Sequence, residues 1–256
     1  MRWLACGEPT LPETLGWLSA AEREYVGTIR FTKRRTEFLL RRRAGKLAVA
    51  AVLGLPTDEA GLGRVEIRNR LTGAPYVHVD GERAPLDISL TDRAGWAVAL
   101  VGSEGSMTAG TLGVDLEIAE PRSAGFVADF LTPTEQEYVA ARATQDERHA
   151  AANLVWSAKE AALKVLRVGL RADTRTVEVT LHQTTRADGW ASLSVQHVEG
   201  QVFPGWWRRD GRFLLTLAGL AEQPPPLRLP GSADLSTAEP VHSWVDSPVV
   251  GEQGRG

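Results

Sequence analysis

Trp156-Ser157-Ala158-Lys159-Glu160-Ala161-Ala162-Leu163-Lys164, taken with Gly113-Val114-Asp115-Leu116-Glu117 some forty residues upstream, carries the chemistry of this chain. The upstream stretch alternates apolar and acidic residues. As a strand it sends Asp115 and Glu117 to one face and directs Val114 and Leu116 to the other. As a helix, the later stretch puts Glu160 and Lys164 on a shared face, four residues apart, while Ala161, Ala162, Leu163 and Leu166 supply apolar surface for packing. Three carboxylates and a cation are the outcome. Oxygen-only ligands with room for water and phosphate are what Mg²⁺ requires, whereas Zn²⁺ calls for Cys or His at ligand spacing.

The chain has 256 residues, 43% of them apolar, enough for a sizeable core in one large domain or two small ones. Its formal net charge of −3 gives no global attraction to nucleic acid or membrane, so an anion site must come from local clustering. The lone cysteine, Cys6, excludes an internal disulfide framework. No charged start followed by an apolar run opens the chain, and no uninterrupted apolar segment approaches membrane-spanning length. A cytoplasmic monomer is the expectation.

Periodicity predicts a helix over 32–53, closed by Gly54 and Pro56, then strands near 64–68, 76–79, 85–90, 95–101 and 111–118. Thr132-Pro133-Thr134-Glu135 reads as an N-cap, a first-turn proline and a capping-box glutamate, opening a helix to about 143. The helix bearing Glu160 is predicted over 147–168, stopping at Gly169, and strands near 175–182, 190–198 and 212–218 follow. Helix plus strands thus occurs twice, which predicts an α+β protein of two similar halves, 1–105 and 106–220. From 221 the chain is rich in Pro, Gly and Ser, with acids outnumbering bases, so 221–256 is expected to be a disordered tail that contributes little to stability. Trp244 is its lone aromatic.

The two opening motifs and their order resemble those of the Sfp-type 4′-phosphopantetheinyl transferases: a G-[IV]-D-[IV]-E strand followed by a W-S-x-K-E-A-x-x-K helix. The resemblance covers roughly residues 30–170. It implies a pseudo-two-fold α+β fold with coenzyme A between the halves, and Mg²⁺-dependent transfer of the phosphopantetheine arm to a serine of an acyl or peptidyl carrier protein, as in polyketide or non-ribosomal peptide synthesis. It also implies that Asp115, Glu117 and Glu160 hold Mg²⁺, that Lys164 contacts the phosphate under attack, and that Glu160 helps take the serine proton. The alternative is a non-catalytic coenzyme A or carrier-protein binding module on the same fold.

For the 3′-phosphate of coenzyme A, the run from Arg30 to Lys46 holds eight bases and one acid, Glu37. Arg35, Arg42 and Lys46 fall close to one helix line. The family's Arg-Arg-x-x-Phe followed by Arg corresponds to Arg34, Arg35, Phe38 and Arg42, so Arg34, Arg35 and Arg42 are expected coenzyme A ligands. A nucleic-acid binder is the third reading, disfavoured because base-stacking aromatics do not interleave the run. Two departures stand out. The family's Ser-His-Ser is here Thr91-Asp92-Arg93, with Thr91 and Arg93 expected to face the ligand and Asp92 to turn towards Arg93 or a base on the 30–46 helix. Its Gly-[Lys/Arg]-Pro is here Gly73-Ala74-Pro75, which lacks the cation. The five histidines show no metal spacing.

Overall fold

Small residues let two long helices lie close on their sheets. A computed structural model describes residues 1–103, 112–167, 173–182 and 184–241. In chain order the elements are β1 (Arg2–Gly7), α1 (Ala20–Thr28), α2 (Thr32–Leu53), α3 (Glu59–Gly63), β2 (Val65–Asn69), β3 (Pro75–Val79), β4 (Glu82–Arg83), β5 (Leu86–Arg93), β6 (Trp96–Ser103), β7 (Leu112–Ile118), α4 (Ala124–Phe130), α5 (Pro133–Ala140), α6 (Gln145–Leu166), β8 (Val177–Leu181), β9 (Ala191–His197), β10 (Val202–Asp210), β11 (Phe213–Gly219) and β12 (Leu227–Arg228). Helix α2 ends where Gly54 takes a left-handed conformation with φ of 67°. At Gly45 a Cβ would stand 2.3 Å from Ile67 Cδ1, so the glycine lets that side chain lie against the helix without shifting.

The strands form sheets of order β12-β1-β6-β5, β7-β11-β10-β9-β8 and β2-β3-β4. Helix α2 packs on the first through Ala44, Ala48 and Val49 against Leu4, Ile88 and Ala99. Helix α6 packs on the second through Ala158, Ala161 and Leu163, with Leu193, Val195 and Phe203 in the same core. A third core joins the two sheets: Trp3, Val98 and Leu100 meet Val114, Leu116, Phe213 and Leu215. The period-two alternation of β7 is what sends Val114 and Leu116 into that core. Where edge strands β5 and β7 meet, side-chain hydroxyls stand in for a backbone ladder. Val114 N donates to Ser89 Oγ at 3.0 Å and Leu116 N to Thr91 Oγ1 at 3.3 Å.

The halves share a buried device. Ser19 and Thr132 each open a capping box closed by a glutamate, Glu22 or Glu135. Each glutamate also meets a lysine fourteen residues into a 22-residue helix, Lys46 in α2 and Lys159 in α6. The Glu22–Lys46 and Glu135–Lys159 pairs measure 2.6 and 2.7 Å, and both lysines are fully buried. Glu22 Oε1 accepts from Ile67 N at 3.0 Å, just as Glu135 Oε1 accepts from Val179 N at 2.8 Å. Lys46 donates onward to Leu62 O and Val65 O, and Lys159 to Thr174 O and Val177 O. Burial pulls both lysines below the usual amine range, opposed by their glutamates.

The expectation of a disordered tail from 221 is corrected as far as Val241. Strand β12 pairs in parallel with β1, and Leu229, Leu235 and Ala238 are buried. Ala233 N donates to Ala5 O at 2.8 Å, Trp96 Nε1 to Glu239 O at 2.7 Å and Val241 N to Ala94 O at 2.7 Å. Composition signalled low order, but apolar residues spaced along the segment find the exposed flank of the first sheet. Trp244 lies outside the described residues.

Candidate active site

Helix α6 approaches β7 so closely that a Cβ on Gly113 would lie 1.9 Å from Ala161 O. That contact brings Glu160 and Lys164 over the acidic face of the strand. Ser157 fixes the register, sharing a 2.8 Å hydrogen bond with Thr216 of β11, the residue paired with Asp115 across the sheet. Trp156 packs edge-on against Phe126 and Phe130, at 5.3 and 5.1 Å between ring centroids. Lys159, the neighbour of Glu160 in the chain, turns inward as the strut of this half.

Asp115 is buried, and its Oδ1 accepts from Lys164 Nζ at 2.8 Å and Thr91 Oγ1 at 3.1 Å. Lys164 also donates to Val114 O at 2.7 Å. The other Asp115 oxygen, Oδ2, and Glu160 Oε1 are both buried without a hydrogen-bond partner. Burial, with Asp115 as a charged neighbour, pushes the Glu160 carboxyl up to about 7. The same two causes push Glu117 up to about 7, against Arg93 and Arg122. Glu117 Oε2 lies 3.0 Å from Arg93 Nε and 3.2 Å from Arg122 Nη2. Among the described residues no three His, Cys, Asp or Glu side chains converge as a ready-made metal cluster. Two unpartnered carboxylate oxygens nevertheless fit Mg²⁺, which binds through one or two carboxylates and keeps its waters for exchange with phosphate.

From Lys164 a cleft of about 230 Å³ runs between Gly73, Ala74 and Pro75 of the β2–β3 turn and Ser89 and Leu90 of β5. Gly73, Pro75 and Leu90 also border a hollow of about 300 Å³ that reaches Arg41 and Arg42. Tyr25, Phe38 and Arg41 continue into a third hollow of about 520 Å³ lined by Arg30, Phe31 and Arg34. The three hollows share lining residues in turn, so the basic run lies at the far end of a channel that begins at Lys164. Its members have different placements. Arg34 lies over the Phe31 ring at 5.8 Å, and Arg35 donates to Val26 O at 2.8 Å. Arg42 is buried, stacked on Phe38 at 4.5 Å and ion-paired with Glu22 at 3.4 Å, and burial lowers it to about 10. The single stripe of Arg35, Arg42 and Lys46 is thus corrected, since Lys46 points into the core.

Asp92 meets Arg41 of α2 in an ion pair, and burial raises its carboxyl despite that partner. Arg93 pairs with Glu117 and Glu120. Thr91 is buried at the seam between β5 and β7. Two residues that sequence reasoning passed over belong to the site: Arg41, which reaches the channel, and Arg122, which reaches Glu117. Arg41 was visible as a member of the basic run, whereas nothing in the sequence marked Arg122.

Residues 111–195 match the model of the 4′-phosphopantetheinyl transferase superfamily. No curated protein matches the chain. Asp115, Glu117, Glu160 and Lys164 fall inside the matched segment, whereas the basic helix, Thr91 and Arg93 fall outside it. The match and the mixed α+β architecture together support a transferase of the phosphopantetheine group. That superfamily acts on carrier proteins with coenzyme A, and among the described residues no helix is long and apolar enough to cross a membrane.

Proposed function

We propose that this protein is an Sfp-type 4′-phosphopantetheinyl transferase that moves the phosphopantetheine arm of coenzyme A onto a serine of an acyl or peptidyl carrier protein, releasing adenosine 3′,5′-bisphosphate. The observation that carries the reading is the pair of buried, unpartnered oxygens on Asp115 and Glu160, beside Lys164 at the mouth of the channel. Both oxygens fit a divalent cation, which supplies neutralising charge on the pyrophosphate when bound.

Lys164 stands where negative charge grows as the bond between the two phosphates breaks. The serine oxygen attacks the phosphorus attached to the pantetheine arm, and the bisphosphate leaves. Glu160 would help take the serine proton through a water beside the cation. Arg34 and Arg41 border the wide end of the channel, where they would supply cations for the 3′-phosphate. The same reading places the protein in the cytoplasm as a monomer serving polyketide or non-ribosomal peptide synthesis.

Mass spectrometry of apo carrier proteins incubated with the protein, coenzyme A and Mg²⁺ is the test. A carrier heavier by one phosphopantetheine is expected, and Asp115→Asn or Glu160→Gln should slow the transfer at least about 100-fold while keeping the fold. Coenzyme A binding with no modified carrier in a broad panel would return the protein to the class of non-catalytic binding modules.

A further inference from the structure

Arg41 differs from the other bases of α2 in what holds it. Arg35 is tied to Val26 O, Arg42 to Glu22 and the Phe38 ring, and Lys46 to the core. Tyr25, Phe38 and Arg41 border both the middle hollow and the wide one, so Arg41 is the charged side chain common to the two. Its Nη1 donates to Asp92 Oδ1, which reaches across from β5. Asp92 borders none of the three hollows and its side chain is only 13% exposed, so the carboxylate stands beside the guanidinium rather than in the path of a ligand.

A second acid competes for the same guanidinium. Glu37 lies four residues before Arg41 on α2, a spacing at which an acid and a base meet, and it borders the wide hollow but not the middle one. Its Oε1 stands 3.9 Å from Lys33 Nζ, too far for a hydrogen bond. Burial raises the Glu37 carboxyl, Asp92 adds to the rise, and Lys33, Arg41 and Arg34 oppose it, so Arg41 lies within electrostatic reach of both acids. Without Asp92 the arginine would turn along its helix to Glu37 and leave the middle hollow. A guanidinium already held in place also loses less rotamer freedom when a ligand arrives. We propose that Asp92 is a positioning residue that holds Arg41 at the junction of the two hollows, against the pull of Glu37, and so lets the site select a ligand that bears a 3′-phosphate. It rests on the phosphopantetheinyl transfer reading, in which that phosphate belongs to coenzyme A.

The test is calorimetry of coenzyme A and of dephospho-coenzyme A, which lacks the 3′-phosphate, binding to the full chain with Mg²⁺ and no carrier, with circular dichroism as a fold check. Asp92→Ser replaces Asp92→Asn if the latter does not fold. In Asp92→Asn the dissociation constant for coenzyme A should rise at least about fivefold, the scale of one long side chain left to be ordered on binding, while that for dephospho-coenzyme A stays within about twofold. Arg41→Gln should lose the same selectivity, and adding Asp92→Asn to it should change little more, because the acid acts through the arginine. Glu37→Gln should rescue Asp92→Asn, since it removes the competing acid. Unchanged or tighter coenzyme A binding in Asp92→Asn overturns the assignment, as does an equal loss for both ligands, a failure of Glu37→Gln to rescue, or a wild type that binds neither ligand. If the wild type and variants bind with the expected pattern but the wild type modifies no carrier, the transferase reading fails and the role of Asp92 stands.

Discussion

At the scale of single residues, the site holds two carboxyls that water would keep ionised at much lower pH. Glu117 and Glu160 are each raised from 4.5 to about 7, chiefly by burial. A raised folded-state value means that the folded protein holds these protons more tightly than the unfolded chain does. Their contribution to stability is therefore complete below about pH 4.5 and lost as pH rises through about 7. A divalent cation needs its carboxylate ligands deprotonated and supplies the charge they lack, so its stabilising effect should grow across the same window. Thermal unfolding with and without Mg²⁺ should show a small upward shift near pH 5 and a larger one above pH 7. Equal shifts at both ends would mean that the cation does not reach Glu160. The shared face of Asp115 and Glu117, and that of Glu160 and Lys164, were legible from spacing, because strand and helix periodicities fix which side chains share a face. The partners of Glu117 were not, since Arg93 and Arg122 reach it from other segments and no local pattern encodes that meeting. The burial of Lys46 and Lys159 was hidden for the same reason: each looks like a solvated helix lysine until a distant capping-box glutamate is brought to it.

At the scale of elements, contact between α6 and β7 makes the site, and Gly113 is its tightest point. Gly113→Ala would place a methyl 1.9 Å from Ala161 O, so the helix must lift away from the strand. Transfer should fall by more than the loss of stability explains, because small displacements of oriented groups cost about 100-fold; a Gly113→Ala enzyme with unchanged turnover would show that Glu160 and Lys164 tolerate a shifted helix. The buried struts give a second expectation. Lys159→Met leaves Glu135 buried without its cation, at a cost of about 3–5 kcal/mol by analogy with broken internal ion pairs. Chemical denaturation should show a loss of that order, and Lys46→Met should behave alike in the other half. A negligible change in both would mean that the glutamates are satisfied by backbone donors alone. Helix α2 and most strands were predicted to within a few residues, because Gly54 stops the helix and alternation marks the strands. Helices α1, α3 and α4 went unread, being short segments whose few apolar positions give no clear period.

At the scale of the whole molecule, the segment from Leu227 to Val241 is a strap. It runs in parallel beside β1, covers the core shared by the two main sheets with Leu235 and Ala238, and ends against the β5–β6 turn. Deleting residues 226–256 should therefore lower the melting temperature by on the order of 10 °C, since burying Leu229 and Leu235 alone is worth about 3–6 kcal/mol. An unchanged melting temperature would reduce the strap to a surface adornment. Composition misled here because proline and glycine content measures average chain stiffness and polarity, whereas docking depends on where a few leucines fall. The paired struts carry one more implication. Counting from Lys159, the next residue and the fifth are Glu160 and Lys164; counting from Lys46, they are Leu47 and Ala51. The scaffold is written twice and the reactive groups once. A molecule of two like halves is thus a lock with a single keyhole, and a titration with coenzyme A should saturate at one equivalent per chain.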